Sequence, residues 1–225
     1  MTGLEVLVAL GSIVVIDIVL GGDNAILIAL ASKNLAPEQR KKAMFWGVVG
    51  AVAVRAALTA VALYLLKIPL LQFAGGVLLV WIALKLLLED KKVECASATC
   101  LSEAIKTIIV ADVVMGIDNV IAIAGAAHGS MLMVVLGLAI SVPIIVWGST
   151  FLLKWMDKYP AIVYIGAGVL AWTAGQMIVS DKIIARGIGN YIPYFEWVIP
   201  LVVLLGVILT GLNKNKLAKQ QCKIS

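Results

Sequence analysis

The chain has 225 residues, of which 62% are hydrophobic and only 14% are charged, and its formal net charge is +5. Soluble domains are roughly half apolar and a quarter charged, so this composition excludes a soluble protein and indicates an integral membrane protein. The apolar segments are about 20 residues long, which is typical of helical spans and excludes a barrel of ten-residue strands.

The apolar segments predict an all-α membrane protein with seven transmembrane helices, which form a single membrane domain over residues 1–225. The N-terminus lacks the basic start of a signal peptide, so the first apolar segment is predicted to be a retained span. Short polar links separate the spans. In chain order the predicted spans are Leu4–Ala31, Ala43–Leu66, Pro69–Leu88, Ile105–Ala127, Met131–Leu153, Pro160–Ser180 and Phe195–Leu212.

The basic residues are concentrated in the links after spans one, three and five and in the C-terminal tail. Since cytoplasmic segments of membrane proteins are enriched in Lys and Arg, this distribution predicts an N-terminus outside the cell and a C-terminus in the cytoplasm. The positive charge is therefore a topology signal, with some contact to anionic headgroups of the lipid bilayer. No nucleic acid partner is predicted.

In this topology the three cysteines, Cys95, Cys100 and Cys222, all lie in cytoplasmic segments. Disulfides are rare in the reducing cytosol, which predicts that these cysteines are reduced. The spacing of Cys95 and Cys100 is a weak indication of a zinc site, because no histidine lies near them. The role of these two residues stays open.

Spans one and four carry the same acidic motif, D-x-x-x-G-x-D-N, which begins at Asp17 and again at Asp112, 95 residues later. A carboxylate in the middle of a membrane costs roughly 2.5–3.5 kcal/mol on insertion scales, so four of them need a compensating partner. A bound cation, shared protons or a buried arginine could each supply that compensation. The two copies contribute six polar side chains: Asp17, Asp23, Asn24, Asp112, Asp118 and Asn119.

A second similarity relates span three to span six, where Gly, Leu, Trp and Ala positions of residues 75–85 recur in residues 166–176. Two matches in the same order indicate an internal duplication, with repeat one over residues 4–88, repeat two over residues 105–180 and a seventh helix over residues 195–212. Because each repeat has an odd number of spans, the two repeats would cross the membrane in opposite directions. Inverted repeats of this kind are typical of secondary transporters, in which the substrate lies near the midplane on broken helices.

The glycines inside the motifs predict where such breaks lie. Gly21 and Gly22 allow the backbone of span one to unwind, which would turn its carboxylates and free carbonyls toward one cavity. Gly116 is predicted to do the same in span four, less freely, because Ile117 stands where span one has a second glycine.

The six polar side chains of the motifs offer only oxygen atoms as acceptors for a cation. Manganese, calcium and magnesium prefer carboxylate and amide oxygen, whereas zinc and copper prefer nitrogen and sulfur. Met115 lies inside the second motif. A thioether there would favour manganese over calcium, although packing is the ordinary role of methionine in a membrane helix.

Arg55 is a further charge inside a predicted span, near the centre of span two. An unpaired arginine at that depth would be costly, so Arg55 is predicted to pair with one of the aspartates. Four aspartates, this arginine and one divalent ion would together keep a charge of −1. That charge leaves room for a proton and favours proton coupling. Supporting roles are thus assigned to Gly21, Gly22, Gly116, Arg55 and Met115.

At these residues the chain resembles the TerC family of bacterial membrane proteins, within the LysE-like transporter group, and most closely its short single-domain branch. The resemblance covers nearly the whole chain and rests on the doubled motif, on Phe45-Trp46-Gly47 followed by Arg55, and on the seven-span length. It implies a metal-ion transporter of the bacterial cytoplasmic (inner) membrane, usually discussed as manganese efflux, with a historical link to tellurite resistance. By the motif match, the six polar motif residues would be the ion ligands.

The residues and the resemblance together predict a divalent metal-ion transporter, with manganese efflux as the first interpretation, and not an enzyme. The metal ion is the substrate, and no cofactor is predicted. Alternatives are a transporter of calcium or another divalent cation, a subunit that binds a cation without moving it, and, least favoured, an intramembrane aspartyl protease. The G-x-G-D pattern of such proteases is absent, because Leu20 occupies the first glycine position. The direction of transport and the oligomeric state, a homo-oligomer included, stay open.

Overall fold

The computed structural model describes residues 3–65, 68–88, 98–127, 130–187 and 194–224, and its regular structure over these ranges is helical, without strands. The predicted all-α class is therefore confirmed. In chain order the helices are α1 Gly3–Leu20, α2 Gly22–Ser32, α3 Pro37–Leu65, α4 Leu71–Leu88, α5 Ala98–Ala126, α6 Met131–Lys158, α7 Ala161–Ser180, α8 Lys182–Gly187 and α9 Phe195–Ile224.

Within the described ranges, five segments are helical, long and apolar enough to cross a membrane: Pro37–Val61, Leu71–Leu88, Met131–Lys158, Ala161–Ser180 and Phe195–Lys214. The predicted first span is two helices, α1 and α2, which bend by 53° and together give a sixth candidate. The predicted fourth span corresponds to α5, which is not among these candidates. The count of seven spans, the inverted repeats and the orientation of the termini therefore stay predictions.

The helices fall into two compact units, each built from both halves of the chain. Unit 1 contains α1, α2, α3, α5 and α6, and unit 2 contains α4, α7, α8 and α9. Unit 1 thus holds the helices that correspond to the first two predicted spans of each repeat, and both acidic motifs lie in it.

Close helix packing in unit 1 depends on glycines that face isoleucines. A methyl group at Gly50 of α3 would overlap the side chain of Ile109 of α5, and one at Gly137 of α6 would overlap Ile13 of α1. Small residues at such positions let neighbouring backbones approach closely. The α3–α5 contact also brings Arg55, little more than one turn beyond Gly50, next to the second motif.

In unit 2, α7 packs against both α4 and α9, and glycine again sets the spacing. Gly175 of α7 faces the backbone of Pro200 in α9, so that a Cβ at residue 175 would overlap the Cα of Pro200. Neither group is the end of a flexible side chain, so the two helices would have to move apart.

We expect Gly175→Ala to lower the free energy of unfolding by about 1–3 kcal/mol, the usual cost of overpacking. Gly206→Ala on α9 is the matched control, because a Cβ there meets nothing within 4 Å. Detergent-solubilised protein would be unfolded by heat, and the two melting temperatures compared with the wild type. Equal stability of the two variants would contradict the close approach of α7 and α9.

Asp181 links two parts of unit 2 through backbone contacts. Its side chain is buried and accepts hydrogen bonds from the N–H groups of Ile183 (3.0 Å) and Ile184 (3.4 Å) at the start of α8, and from Phe73 (3.4 Å) of α4. Asp181 is therefore a helix cap that also attaches α8 to α4.

The structure contradicts one cysteine prediction. Cys100, in the first turn of α5, is disulfide-bonded, so the expectation of a reduced thiol is wrong for this residue. The prediction of reduced cysteines depended only on the reducing cytosol, which gives no information on the distance between two sulfur atoms. Cys95 lies outside the described residues.

Candidate ion site

The first motif contains a real break in the helix, at the predicted glycine. α1 ends at Leu20 and α2 begins at Gly22, and Gly21 between them has φ −99° and ψ 12°. A Cβ at Gly21 would collide with the carbonyl oxygen of Asp17, so this position requires glycine. A Cβ at Gly22 meets nothing within 4 Å, so Gly22 is not sterically required.

The second motif does not contain a break, and the prediction at Gly116 is wrong. α5 runs without interruption from Ala98 to Ala126. One glycine in a helix interior costs only about 0.5–1 kcal/mol relative to alanine, which is not enough to end a helix that packs along α3. Gly116 faces the side chain of Arg55, where a Cβ would lie in ordinary contact with Nε, at 3.6 Å.

Arg55 of α3 bridges the two motifs. One terminal nitrogen donates to Oδ1 of Asp17 on α1, and the other donates to Oδ1 of Asp112 on α5. All three residues are buried, with exposed fractions of 4%, 1% and 7%. Such charge-assisted contacts in a low-dielectric interior are strong. The predicted pairing of Arg55 with an aspartate is confirmed, and it extends to two aspartates.

Ser141 of α6 completes the surroundings of Asp17, and the sequence did not single it out. Its hydroxyl donates to Oδ2 of Asp17, and the serine is fully buried. The available signal was a serine in an apolar helix two residues before Pro143. Four helices therefore meet at one buried charge cluster, with side chains from α1, α3, α5 and α6.

We expect Ser141→Ala to lower the free energy of unfolding by about 1.5–3 kcal/mol, because the hydrogen bond it removes has a charged acceptor. Ser149→Ala is the control on the same helix: Ser149 is equally buried, but its hydroxyl donates to the carbonyl of Ile145, at 2.7 Å. Neutral hydrogen bonds contribute less, about 0.5–1.5 kcal/mol. Denaturant unfolding of both variants measures the difference, and the reverse order of stability would contradict the role of Ser141.

A small cavity adjoins this cluster. Its volume is about 20 Å³, enough for a single small occupant. Apart from one amide and three charged groups its wall is apolar. The lining residues are Asp17, Asn24, Leu27, Ile28, Val48, Ala51, Val52, Arg55, Ile108, Asp112, Val142 and Ile145.

Asn24 gives the cavity wall both a donor and an acceptor. The residue is 3% exposed, and its side-chain nitrogen and oxygen are buried without a hydrogen-bond partner among the described residues. Buried amide groups almost always have partners, so an asparagine with none in a cavity wall is the mark of a site for a polar ligand. Asn24 lies in the first turn of α2, directly after the break, so the break orients it.

The structure brings together half of the predicted ligand set. Asp17, Asn24 and Asp112 line one cavity, whereas Asn119 donates to the carbonyl of Leu20 (3.4 Å) at the end of α1. Asp23 is half-buried and is not among the cavity-lining residues. The side chain of Asp118 lies outside what the structure describes.

Two further observations limit the metal prediction. Over the part of the chain that the structure describes, three or more His, Cys, Asp or Glu side chains nowhere gather closely enough to hold a metal ion by themselves. Met115 is buried on α5 and does not line the cavity. Any ion at this site would therefore take an amide oxygen as well as carboxylates.

The sequence profile of the family described as Integral membrane protein TerC family matches residues 2–219. The chain belongs to this family. Its members are integral membrane proteins associated with ion transport, which makes a transporter the expected class rather than an enzyme.

Several bacterial relatives are similar over most of their length. The chain is 44% identical over 216 residues to the membrane protein YjbE of Bacillus subtilis (strain 168), covering 96% of this chain and 99% of YjbE. It is 23% identical to the membrane protein YkoY of the same strain, over 88% of this chain and 70% of YkoY. The inner membrane protein YgdQ of Escherichia coli (strain K12) is 24% identical, over 77% of this chain and 81% of YgdQ. No solved structure matches the chain.

Proposed function

We propose that this TerC family protein moves a divalent metal ion across the bacterial inner membrane, with manganese efflux as the first candidate. One observation carries the proposal. Two buried carboxylates, Asp17 and Asp112, and the unpartnered amide of Asn24 line one small cavity beside a break in a membrane helix. Ionisable residues within membrane segments mark substrate pathways as a rule.

The chemistry of the cavity favours a hard cation. Its polar acceptors are carboxylate and amide oxygens, and the rest of its wall is aliphatic. Manganese, calcium and magnesium take such ligands, whereas copper and zinc favour sulfur and nitrogen. The small volume fits an ion that has lost most of its water and takes oxygen from the protein. The family resemblance, which implies manganese efflux, then puts manganese before calcium.

Movement, as opposed to binding alone, is supported by the broken helix. The ion-site candidates of the first motif lie on both sides of Gly21, with Asp17 on α1 and Asn24 on α2. A change in the 53° bend would therefore change the distance between two candidate ligands. Broken helices at the substrate site are common in secondary transporters, and a rigid binding subunit has no need of one.

The arrangement argues against an aspartyl protease. Such enzymes place two carboxylates side by side, so that they share one proton. Here the guanidinium of Arg55 lies between Asp17 and Asp112 and donates to both. This arginine neutralises the charge that a shared proton would otherwise offset.

Export would require a coupled driving force. Moving two positive charges outward against a cytoplasm-negative potential costs about 4.6 kcal/mol per 100 mV. We propose that protons entering the cell drive the export.

The function is tested by metal uptake into inside-out proteoliposomes with a pH-sensitive dye inside. We expect manganese to enter at a higher initial rate than calcium or magnesium, with alkalinisation of the lumen as protons leave in exchange. Liposomes without protein set the background. Uptake of calcium in preference to manganese would move the proposal to a calcium transporter, and background rates for every divalent ion would overturn it.

A further inference from the structure

Arg55 is the only cation among the described residues that line the cavity. It holds one oxygen of each cavity aspartate, and Ser141 holds the other oxygen of Asp17. A divalent ion that binds both aspartates therefore competes with the guanidinium for the same two carboxylate groups. Arg55 and the ion are alternative partners of one carboxylate pair.

The charges lead to the same conclusion. Asp17, Asp112 and Arg55 together carry −1, so a divalent ion added to all three leaves +1 in an apolar surrounding. If the guanidinium moves off the carboxylates, the ion and the two aspartates are neutral as a group, while the guanidinium keeps its own positive charge beside them. Uncompensated charge is costly inside a membrane. We therefore expect the carboxylate pair to hold either the guanidinium or the ion, and not both at once.

The surroundings of Arg55 leave room for such an exchange. Its Nε is buried and has no hydrogen-bond partner among the described residues, so the two terminal nitrogens supply its contacts with the aspartates. On the α5 side it faces Gly116, where even a Cβ would lie 3.6 Å from Nε. The guanidinium is thus held by the carboxylates and is not enclosed by bulky side chains at that point.

We propose that Arg55 is a tethered counter-cation, which replaces the metal ion on Asp17 and Asp112 once that ion has been released. With the guanidinium in place, the returning site carries one net negative charge in place of two, so a single proton entering the cell makes it neutral. Net transport requires that return step. Exchange of one metal ion for another does not require the return of an empty site, because the site then carries a metal ion in both directions. This inference rests on the proposed transport function and adds to it a role for one residue.

The test separates those two modes in proteoliposomes. Net flux is the uptake of radioactive manganese into vesicles without internal metal, and exchange is its uptake into vesicles preloaded with unlabelled manganese. For Arg55→Gln we expect the ratio of net flux to exchange to fall by at least about tenfold, the effect of 1.4 kcal/mol in the return step. Arg55→Lys retains the positive charge and should keep the wild-type ratio of net flux to exchange.

Arg40→Gln is the matched control in unit 1. Arg40 also pairs with an aspartate, Asp157 (2.6 Å), but it lies outside the cavity and is partly exposed. Its substitution should leave the ratio of net flux to exchange unchanged.

Each result of these flux measurements supports or overturns the counter-cation role of Arg55. Net flux and exchange that fall by the same factor in Arg55→Gln would overturn the counter-cation role and assign Arg55 to structure alone. If Arg55→Gln does not reach the membrane, Arg55→Lys decides, because loss of net flux with a lysine in place would equally overturn the role. A wild-type protein that shows neither mode would refute the proposed function itself, which is a different result from a changed ratio.

Discussion

Cells that produce the Asp17→Asn variant are expected to accumulate manganese as cells without the protein do, whereas cells with the wild type keep their manganese content low. Asp17 combines the strongest constraints in the site: it is 1% exposed, lines the cavity and is held by Arg55 and Ser141. Asparagine has nearly the same shape but no charge, so the change raises the charge of the cluster from −1 to 0. A divalent ion would then meet one carboxylate that is already paired with arginine.

The expected size of this effect follows from the burial. Breaking a buried ion pair lowers the stability of the fold by about 3–5 kcal/mol. The loss of one of the two carboxylates that would hold the ion is expected to lower the rate of export by more than about 100-fold, the effect of about 2.8 kcal/mol. Cellular manganese after growth in excess metal would be measured by mass spectrometry, with the amount of protein in the membrane determined in parallel.

Asp157→Asn is the control for Asp17→Asn. Asp157 also pairs with an arginine in unit 1, but its side chain is 48% exposed. Exposed pairs contribute about 0–1 kcal/mol, so this variant should export manganese within about fivefold of the wild type. Normal export by Asp17→Asn at equal protein level would remove the cavity from the ion pathway.

Gly21→Ala is expected to lose both stability and transport, whereas Gly22→Ala should retain both. A Cβ at residue 21 collides with a backbone oxygen, the carbonyl of Asp17, so no side-chain rotation can relieve the overlap. The helix must straighten or shift, and either movement changes the position of Asn24 relative to Asp17. Overpacking of this kind costs about 1–3 kcal/mol, and we expect transport to fall by at least about tenfold.

The neighbouring glycine makes an unusually close control, because Gly22 is exposed and a Cβ there meets nothing within 4 Å. Surface changes of this type are usually within about 0.5 kcal/mol. Unfolding in denaturant and manganese flux in proteoliposomes would be measured for both variants. Equal stability and equal manganese flux in the two variants would mean that the break at Gly21 has no part in function.

The fold class and most helix positions could be predicted because hydropathy is a local property. The predicted spans Pro69–Leu88 and Pro160–Ser180 match α4 and α7 within two residues at each end. The break in the first span was equally accessible, since two consecutive glycines beside an aspartate are a local signal.

Helix continuity at Gly116 could not be predicted in the same way. The first motif breaks at its glycine and the second does not, although both read D-x-x-x-G-x-D-N. The second motif lacks the second glycine of the first, and α5 also packs along α3, with Ile109 fitted against Gly50. The shared motif therefore did not imply the same local structure.

The charged residues of the candidate site could be predicted from the sequence, but not all of the residues that form the site. The position of Arg55 near the centre of a predicted span, where an unpaired charge is costly, predicted that it pairs with an aspartate. Only the structure shows that one guanidinium donates to both Asp17 and Asp112. Ser141 was missed because a lone serine in an apolar helix is not distinctive without knowledge of the helix that it faces. Asn119 was predicted as an ion ligand, whereas its amide donates to the backbone of Leu20.

In the proposed function, one divalent ion binds in the cavity lined by Asp17, Asn24 and Asp112. This binding is tested by a titration of purified protein with manganese, in which the electron paramagnetic resonance signal of free Mn²⁺ decreases as the ion binds. We predict one saturable site per chain in the wild type and in Asp157→Asn, and its loss in Asp17→Asn and Asn24→Leu. Saturable binding of equal affinity in Asp17→Asn would contradict binding of the ion in this cavity.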